Sequence, residues 1–574
     1  MTPSAPPATW RLAEPHPGTD ALAQALDLPP LVAAILAQRG YHQPEDAAAF
    51  INPRLSDLPD PSGLCGLQAA MELLAPAIEQ GKTIGVAGDY DADGVSATAL
   101  MVDFLRQIGA PVVWSLPHRV TDGYGFNPAA AERLAAAGAE LVVTVDCGIS
   151  DQAGVARAHQ LGMPVVISDH HALPPGPLVD AEAVINPHQA ECRFPPHLAG
   201  VGLAFYLAAG LRAELRQRGH FHQRTEPNLR HSLDLVALGT CADVVELVDG
   251  NRIMVAEGVK VLAEGRRVGL RALMRTARQR PGLDARDVSF GLAPRINAAG
   301  RMDHAALACR LLLCANPAEA ESLAGRLEQL NRARRQVEQA MLDQALELLA
   351  DDPRTQDRAC IVLGHPDWHR GVLGIVASRL LEATGRPVML FALENGHAVG
   401  SGRSLAGFHL QKALGGLQDI LVHYGGHAMA AGATLASDDL PALARGLDQA
   451  ATQRLQEIKD QRVLAIEAAA SLAQLQPPLV EPLSRLAPFG QGNPEPLVMV
   501  SGARVASAAM LKGRHLKLQL AQNGHRAAAI AFNWSRPQPP VGQELDLALQ
   551  LKPSTFRPGT LDMVIKDLRP AGDA

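Results

Sequence analysis

From Lys82 onward, short apolar runs alternate with segments of helical periodicity, the pattern of βαβ units that build a parallel sheet. The runs cover residues 83–87, 111–116, 141–145 and 164–168, and between the first two, residues 97–108 read as a helix stopped by Gly109. Asn316-Pro317-Ala318-Glu319 is a helix start, with Pro in the first turn and Glu three residues after the cap. Leu323, Leu327, Leu330, Val337, Met341, Ala345 and Leu348 then keep one apolar face to about residue 350. At about 1.5 Å per residue that helix is ~50 Å long, enough to connect two domains across a cleft. A second α/β unit follows over 351–455, with strands at 359–363 and 387–393, and then a linker region at 476–482. Five short strands at 497–505, 515–520, 526–532, 544–551 and 560–565 predict an all-β barrel of OB-fold size. The first 75 residues read as a Pro-rich lead-in with short helices at 31–38 and 44–50. The expected fold is therefore multidomain α/β, divided at 1–75, 76–250, 251–350, 351–455 and 456–574.

Composition narrows the function classes. With 574 residues, 47% hydrophobic and 19% charged, the chain has core enough for roughly three to five domains. It holds no apolar run near the ~18 residues of a membrane span and no basic-then-apolar leader, which predicts a cytoplasmic protein without a membrane partner. Seven cysteines, odd in number and never spaced C-x-x-C, argue against a disulfide framework or a zinc ribbon. A net charge of −7 excludes a globally basic nucleic-acid binder but leaves room for a local basic groove.

The chemistry concentrates at strand ends. Gly88-Asp89-Tyr90-Asp91-Ala92-Asp93-Gly94 lies at a strand-to-helix turn, where an open α/β sheet binds its ligands. Carboxylates at alternate positions pack negative charge that a hard cation relieves. No Glu stands at the twelfth loop position, so this is not an EF-hand. The run 141–145 ends in Asp146, and the run 164–168 ends in Asp169-His170-His171. Asp243 follows the apolar segment 233–240. Each Asp alone is compatible with a helix cap; their convergence predicts a metal site. Mixed carboxylate and imidazole ligands suit Mn²⁺ or Mg²⁺ better than zinc, and iron stays open by ligand type. Arg119 lies in a Gly-rich loop with Tyr124, and Arg332, Arg334 and Arg335 fall mid-helix. His369 opens a helix, Ser401 and Arg403 sit in what reads as a Gly-rich turn, and His427 follows two glycines. In the barrel, Arg514, Lys517 and Arg557 with Phe556 predict a basic groove.

The set Gly88 to Gly94, Asp146, Asp169-His170-His171 and Asp243 resembles the DHH phosphoesterase family. Ala293-Pro294-Arg295-Ile296-Asn297-Ala298-Ala299-Gly300-Arg301-Met302, the stretch Trp368 to Arg379, Gly400-Ser401-Gly402-Arg403-Ser404 and Gly425-Gly426-His427 extend the likeness to nearly the whole chain. The resemblance implies a parallel-sheet DHH domain, a DHHA1 domain over 351–455, and two divalent cations, Mn²⁺ or Mg²⁺. Asp91, Asp93, Asp146, His170, His171 and Asp243 would hold them, with Asp146 and Asp243 bridging and Asp169 orienting a histidine. Some relatives place a His four residues before the residue matching Asp91; Ala87 stands there, and Asp89 or water would substitute. The resemblance further implies a single-strand-specific 5′-to-3′ DNA exonuclease of recombination and repair. Arg119, Arg295, Arg301, Ser401, Arg403 and His427 would take substrate phosphate, and Arg335, His369, Arg514, Lys517 and Arg557 would contact DNA. A monomer is expected, working with a single-strand-binding protein and a helicase. The competing readings are a phosphodiesterase of oligoribonucleotides or cyclic dinucleotides, and a non-catalytic DNA-binding scaffold.

Overall fold

The computed structural model describes residues 9–279, 282–455, 463–554, 557 and 559–572. Contacts divide the chain into two units, Leu58–Lys459 and the combination of Met1–Asp57 with Asp460–Ala574.

The larger unit opens on a five-stranded sheet ordered Val112–Ser115, Ile84–Gly88, Leu141–Val145, Val165–Ser168, Ala183–Ile185, and every neighbouring pair is parallel. The three central strands are wholly buried, as continuous Val/Ile runs require when helices cover both faces. They are also adjacent and in register, with Gly88 opposite Val145 and Val145 opposite Ser168. The residues that follow Gly88, Val145 and Ser168 therefore emerge side by side at one sheet edge. Helix Ala92–Gln107 leaves that edge and packs on helices Gly200–Gln217 and Leu233–Asp243.

Helix Pro317–Asp351 spans 35 residues, capped by the Asn316 side chain, which accepts from the Ala318 and Glu319 N–H groups. It packs on helices Val268–Thr276 and Ala293–Met302 and, further on, against helix Leu373–Thr384. Leu323, Leu327, Leu330, Met341 and Ala345 are buried as the periodicity predicts, and Val337 and Leu348 are partly so.

The second sheet is ordered His423–Gly426, Ala430–Ala436, His397–Arg403, Val388–Glu394, Ile361–His365. Only its last pair is parallel. Here the sequence reading needs correction: Gly400-Ser401-Gly402-Arg403 is not a turn but part of the central strand. Its glycines exist for the neighbouring strand, because a Cβ on Gly400 would overlap the Phe391 ring and one on Gly402 would overlap Met389.

In the smaller unit, strands Leu497–Leu511, His515–Gln522, His525–Ala531, Leu561–Pro570 and Glu544–Pro553 pair in that order, and pairing of the first with the last closes a five-stranded barrel. Helices Thr19–Leu26, Pro30–Gln38 and Pro44–Ile51 share this barrel's hydrophobic core, and strand Thr9–Leu12 pairs with Val463–Ile466. Residues 1–75 are thus not one lead-in by contacts, since helix Leu67–Glu79 packs on Gly200–Gln217 in the other unit. Cutting the chain after residue 455 strips partners from Leu31, Val32, Ile35 and Leu36, each worth about 1.5–3 kcal/mol when buried. A chain of residues 1–455 is expected to bind an apolar dye and self-associate, while 58–455 elutes as a monodisperse species in size-exclusion chromatography.

Candidate metal centre and phosphate cleft

Asp91 caps helix Ala92–Gln107, its Oδ1 accepting from the Asp93 and Gly94 N–H groups at 3.0 and 3.1 Å. That cap lets the turn fold back so tightly that a Cβ on Gly94 would come 2.7 Å from the Asp89 nitrogen, which leaves only glycine at this position. Asp93 is buried and gripped by the Gly200 and Val201 N–H groups at 2.7 and 3.0 Å. Asp146 is buried in the left-handed region, at φ 62°, so it is no helix cap. Asp243 ends a helix rather than a strand.

Ligand atoms of Asp146, His170 and His171 lie within 4.8 Å of one another, and so do those of Asp93, His170 and Asp243. The His170 Nε2 is 3.2 Å from Asp146 Oδ1 and 3.7 Å from Asp243 Oδ2, which places it between the two groups. Asp91 borders them, since its charge raises the Asp93, Asp146 and Asp243 carboxyls. Asp89 joins neither group; it is buried, with Oδ1 lacking a hydrogen-bond partner among the described residues. Ala87 lies in the apolar core below the sheet edge.

The electrostatics are those of a cation site. Burial first, and then neighbouring carboxylates, push Asp89, Asp93 and Asp146 well above the usual carboxylate range, and Asp243 up to about 6. Asp146 Oδ1 is also buried without a hydrogen-bond partner among the described residues. Carboxylates crowded in this way, one with an orphaned oxygen beside two imidazoles, fit a divalent cation. Burial drives His170 down to about 4. For His171, burial opposes protonation, but the hydrogen bond from Nδ1 to Asp169 Oδ1 at 2.7 Å and the Asp169 charge lift it to about 9. Burial would raise Asp169, yet His171 outweighs it and holds the carboxyl low; its Oδ2 accepts from the Ile149 N–H at 2.9 Å. Asp169 thus fixes the ring of His171.

A raised carboxyl binds more protons folded than unfolded, so stability falls as pH rises from the unfolded to the folded pKa. For Asp243 that window runs from 3.8 to about 6, a loss on the order of 3 kcal/mol. His170, held down to about 4, works the other way between about pH 4 and 6.5, but Asp89, Asp93 and Asp146 shift with Asp243 and outnumber it. The metal-free chain is therefore expected to melt lower at pH 7 than at pH 5, and Mn²⁺ to raise the midpoint more at pH 7, as thermal scans at both pH values would show.

Beside the carboxylates lies a cluster of arginines. Arg301 is pushed down to about 9 by burial and then by Arg119, Arg334 and Arg403, while Asp91 opposes the shift. Arg119 stacks over the Tyr90 ring at 3.7 Å, and its Nε is buried without a hydrogen-bond partner among the described residues. Arg403 Nη1 donates to Ser401 Oγ at 3.3 Å, and Arg301 Nη1 to the Gly371 carbonyl at 2.9 Å. Cations forced together this way make an anion site.

Other expected contacts fall elsewhere. Arg295 is spent in a buried pair with Glu328 at 2.7 Å and on the Gly291 carbonyl, so its guanidinium has no place in the cluster. The His369 side chain caps the turn Arg370–Val372. Arg335 and His427 are exposed, and Arg332 pairs with Glu328 at 2.8 Å. Sequence reasoning missed Tyr124 as a site residue: its hydroxyl donates to the Asp146 carbonyl at 3.2 Å and lies 3.1 Å from His171 Nδ1. It missed Asn297 too, whose Oδ1 receives the Ala92 N–H at 2.8 Å at the start of the ligand helix. Their positions inside the Gly-rich loop and the Pro294 to Arg301 motif were the available signal.

In the barrel, Lys517 and Arg557 line a cavity of about 510 Å³ together with Arg526, Lys552 and Phe532, three residues the sequence reading did not name. Arg514 is exposed against His515, and Phe556 lies outside the described residues.

The DHH family N-terminal domain matches residues 83–240, the DHHA1 domain 357–453 and the RecJ OB domain 466–567. The chain is 39% identical over 562 residues to the single-stranded-DNA-specific exonuclease RecJ of Escherichia coli K12, covering 95% of this chain and 96% of that one. The chain belongs to the RecJ family. Bacillus subtilis RecJ is 35% identical over 91% of this chain and 66% of its own length. Among solved structures, Thermus thermophilus RecJ in complex with Mn²⁺ aligns with a TM-score of 0.81 at 34% identity, covering 98% of this chain and 79% of that one. The same protein with Mg²⁺ gives a TM-score of 0.75. RecJ membership accounts for both α/β domains and the barrel at once. Among the described residues no helix is long and apolar enough to cross a membrane.

Proposed function

We propose that the chain is a metal-dependent 5′-to-3′ exonuclease of single-stranded DNA. The observation that carries this is the juxtaposition of buried, cation-seeking carboxylates with a cluster of arginines that needs an anion. A phosphodiester backbone answers both demands. Asp91, Asp93, Asp146, His170, His171 and Asp243 would hold two divalent cations, Mn²⁺ or Mg²⁺ as in the related crystal structures. Such cations neutralise charge growing on the phosphoryl group and lower the pKa of the attacking water.

The chain's own residues do the rest. Asp169 keeps the His171 ring in one orientation, and Tyr124 packs against the same ring. Arg119, Arg301, Arg403 and Ser401 bind the terminal 5′ phosphate, which sets polarity by placing the first internucleotide bond at the carboxylates. The barrel cavity with Lys517, Arg526, Lys552, Arg557 and Phe532 holds the strand by backbone charge and one stacking ring. On this reading the catalytic domain, expected over 76–250, also takes in helix Leu67–Glu79, the DHHA1 domain runs from 351 to 455 and the OB domain from 456. The chain acts as a cytoplasmic monomer in recombination and repair, behind a helicase and on strands coated by a single-strand-binding protein.

The direct test uses a strand labelled at either end in the presence of Mn²⁺. A 5′ label is expected to appear at once as mononucleotide while a 3′ label shortens progressively. Mononucleotide release from the 3′ label first, or equal attack on blunt duplex, would sink the proposal.

A further inference from the structure

The connection between strand Ala183–Ile185 and helix Gly200–Gln217 is a strap around the metal centre. At its start, Asn186 Nδ2 donates to the His171 carbonyl at 2.9 Å. Near its end the Leu198 backbone is hydrogen-bonded to the His170 ring, and the Gly200 and Val201 N–H groups hold Asp93. Gly200 also packs so closely on Asp146 that a Cβ there would overlap the carboxylate. The connection and the first turn of the helix it enters therefore touch four of the six expected ligands, the connection itself holding His170 and His171.

Midway along that strap stands Cys192, half-buried. Its Sγ accepts the Cys65 N–H at 3.2 Å, its thiol donates to the Gly63 carbonyl at 3.5 Å, and the Arg193 N–H donates to the same carbonyl at 3.2 Å. The Cys65 thiol, also half-buried, is hydrogen-bonded to Cys192. Behind it, Gly66 meets the Val184 carbonyl so closely that no side chain would fit. The two segments are clamped together on both sides of the sulfur pair, though 127 residues separate the cysteines in sequence. Cys147, Cys241, Cys309 and Cys360 are buried singly, and Cys314 donates to the Asn316 carbonyl.

We propose that Cys65 and Cys192 form a reversible dithiol–disulfide site, oxidised by hydroperoxides, that staples the ligand-holding strap to the segment before helix Leu67–Glu79. The chemistry balances with the peroxide as sole oxidant. One thiol takes an oxygen from the hydroperoxide, giving a sulfenic acid and an alcohol, or water when the oxidant is hydrogen peroxide. The second sulfur attacks the sulfenyl sulfur, the S–S bond forms, and the hydroxyl leaves as water with the second thiol's proton. Two electrons pass from the sulfur pair to the peroxide, and a dithiol reductant reverses the step. Because the two thiols are already hydrogen-bonded to each other, the bridge closes a long loop between groups the fold has brought into contact, which is where a cross-link stabilises most.

The experiment takes the full-length chain, fully reduced, exposes it to hydrogen peroxide, blocks remaining thiols with iodoacetamide and maps the digest without reductant. The expected product is a Cys65–Cys192 linked peptide, two hydrogens lighter than its thiol form and abolished by dithiothreitol. The unfolding midpoint of the oxidised wild type should rise by roughly 5 °C, and should not move in Cys65→Ser or Cys192→Ser chains treated alike. Sulfinic or sulfonic acid at either position without the linked peptide would overturn the proposal, as would either cysteine linked to a third one. A linked peptide whose formation leaves the midpoint unchanged or lowers it would overturn the staple.

Discussion

Asp146→Asn should cost at least about 10³-fold in turnover on a 5′-phosphorylated strand with Mn²⁺, leave KM for that strand nearly unchanged, and make the metal-free chain more stable. The rate loss follows from the site: Asp146 offers a buried oxygen with no hydrogen-bond partner among the described residues, 3.2 Å from His170 Nε2. Removing its charge weakens cation binding where several kcal/mol of transition-state stabilisation is supplied, and about 4 kcal/mol is a factor near 10³. KM holds because the arginine cluster proposed to bind the strand end is untouched. The stability gain has the opposite sign from a simple loss of contact. Burial and the charges of Asp93, Asp91 and Asp243 all disfavour an ionised Asp146 in the metal-free chain, so a neutral amide of the same size relieves repulsion that a bound cation would otherwise relieve. Thermal scans with and without Mn²⁺ separate the effects: the variant starts higher and gains less. A variant that turns over at wild-type rate, or that melts below the metal-free wild type, would refute this account of the site.

How much of this is legible in the chain depends on whether the signal is local. The three strand ends are readable because a parallel sheet demands unbroken apolar runs, and a charged residue directly after such a run has only the sheet edge to occupy. That Gly88, Val145 and Ser168 would stand in register is a tertiary fact, yet it follows once the three strands are neighbours. The strand holding Ser401 and Arg403 is not readable, because alternating glycines carry the local signature of a turn. Only the Phe391 and Met389 side chains on the adjacent strand show why glycine is needed there. Arg295 and Arg301 lie in one motif and look equivalent, but six residues along a helix turn them to different surroundings, Arg295 toward Glu328 and Arg301 toward Arg119 and Arg403. The pairing of residues 9–57 with the barrel has no local trace at all: the apolar faces of Pro30–Gln38 and Pro44–Ile51 say that something covers them, not what.

Arg403→Ala should raise KM about 10- to 100-fold for a strand bearing a 5′ phosphate and leave a 5′-hydroxyl strand almost unaffected. Arg403 is largely buried, its guanidinium pushed down by that burial, and it is held by Ser401 and by its neighbour's carbonyl at 2.7 Å. With Arg301 and Arg119 close by, the cluster pays repulsion in the free protein that a dianionic phosphate removes. A charge-assisted hydrogen bond to such a group is worth about 1.5–3 kcal/mol, which sets the expected factor. Arg403→Lys should recover only part of it, because a single ammonium reproduces the charge but not the planar fork. Since the arginines relieve one another's strain only when the anion is bound, Arg119→Ala combined with Arg403→Ala should cost less than the product of the single effects. The comparison between phosphorylated and hydroxyl ends is what makes the result diagnostic. A structural role for Arg403 would slow both substrates alike, and equal loss on the two would remove the cluster from end recognition.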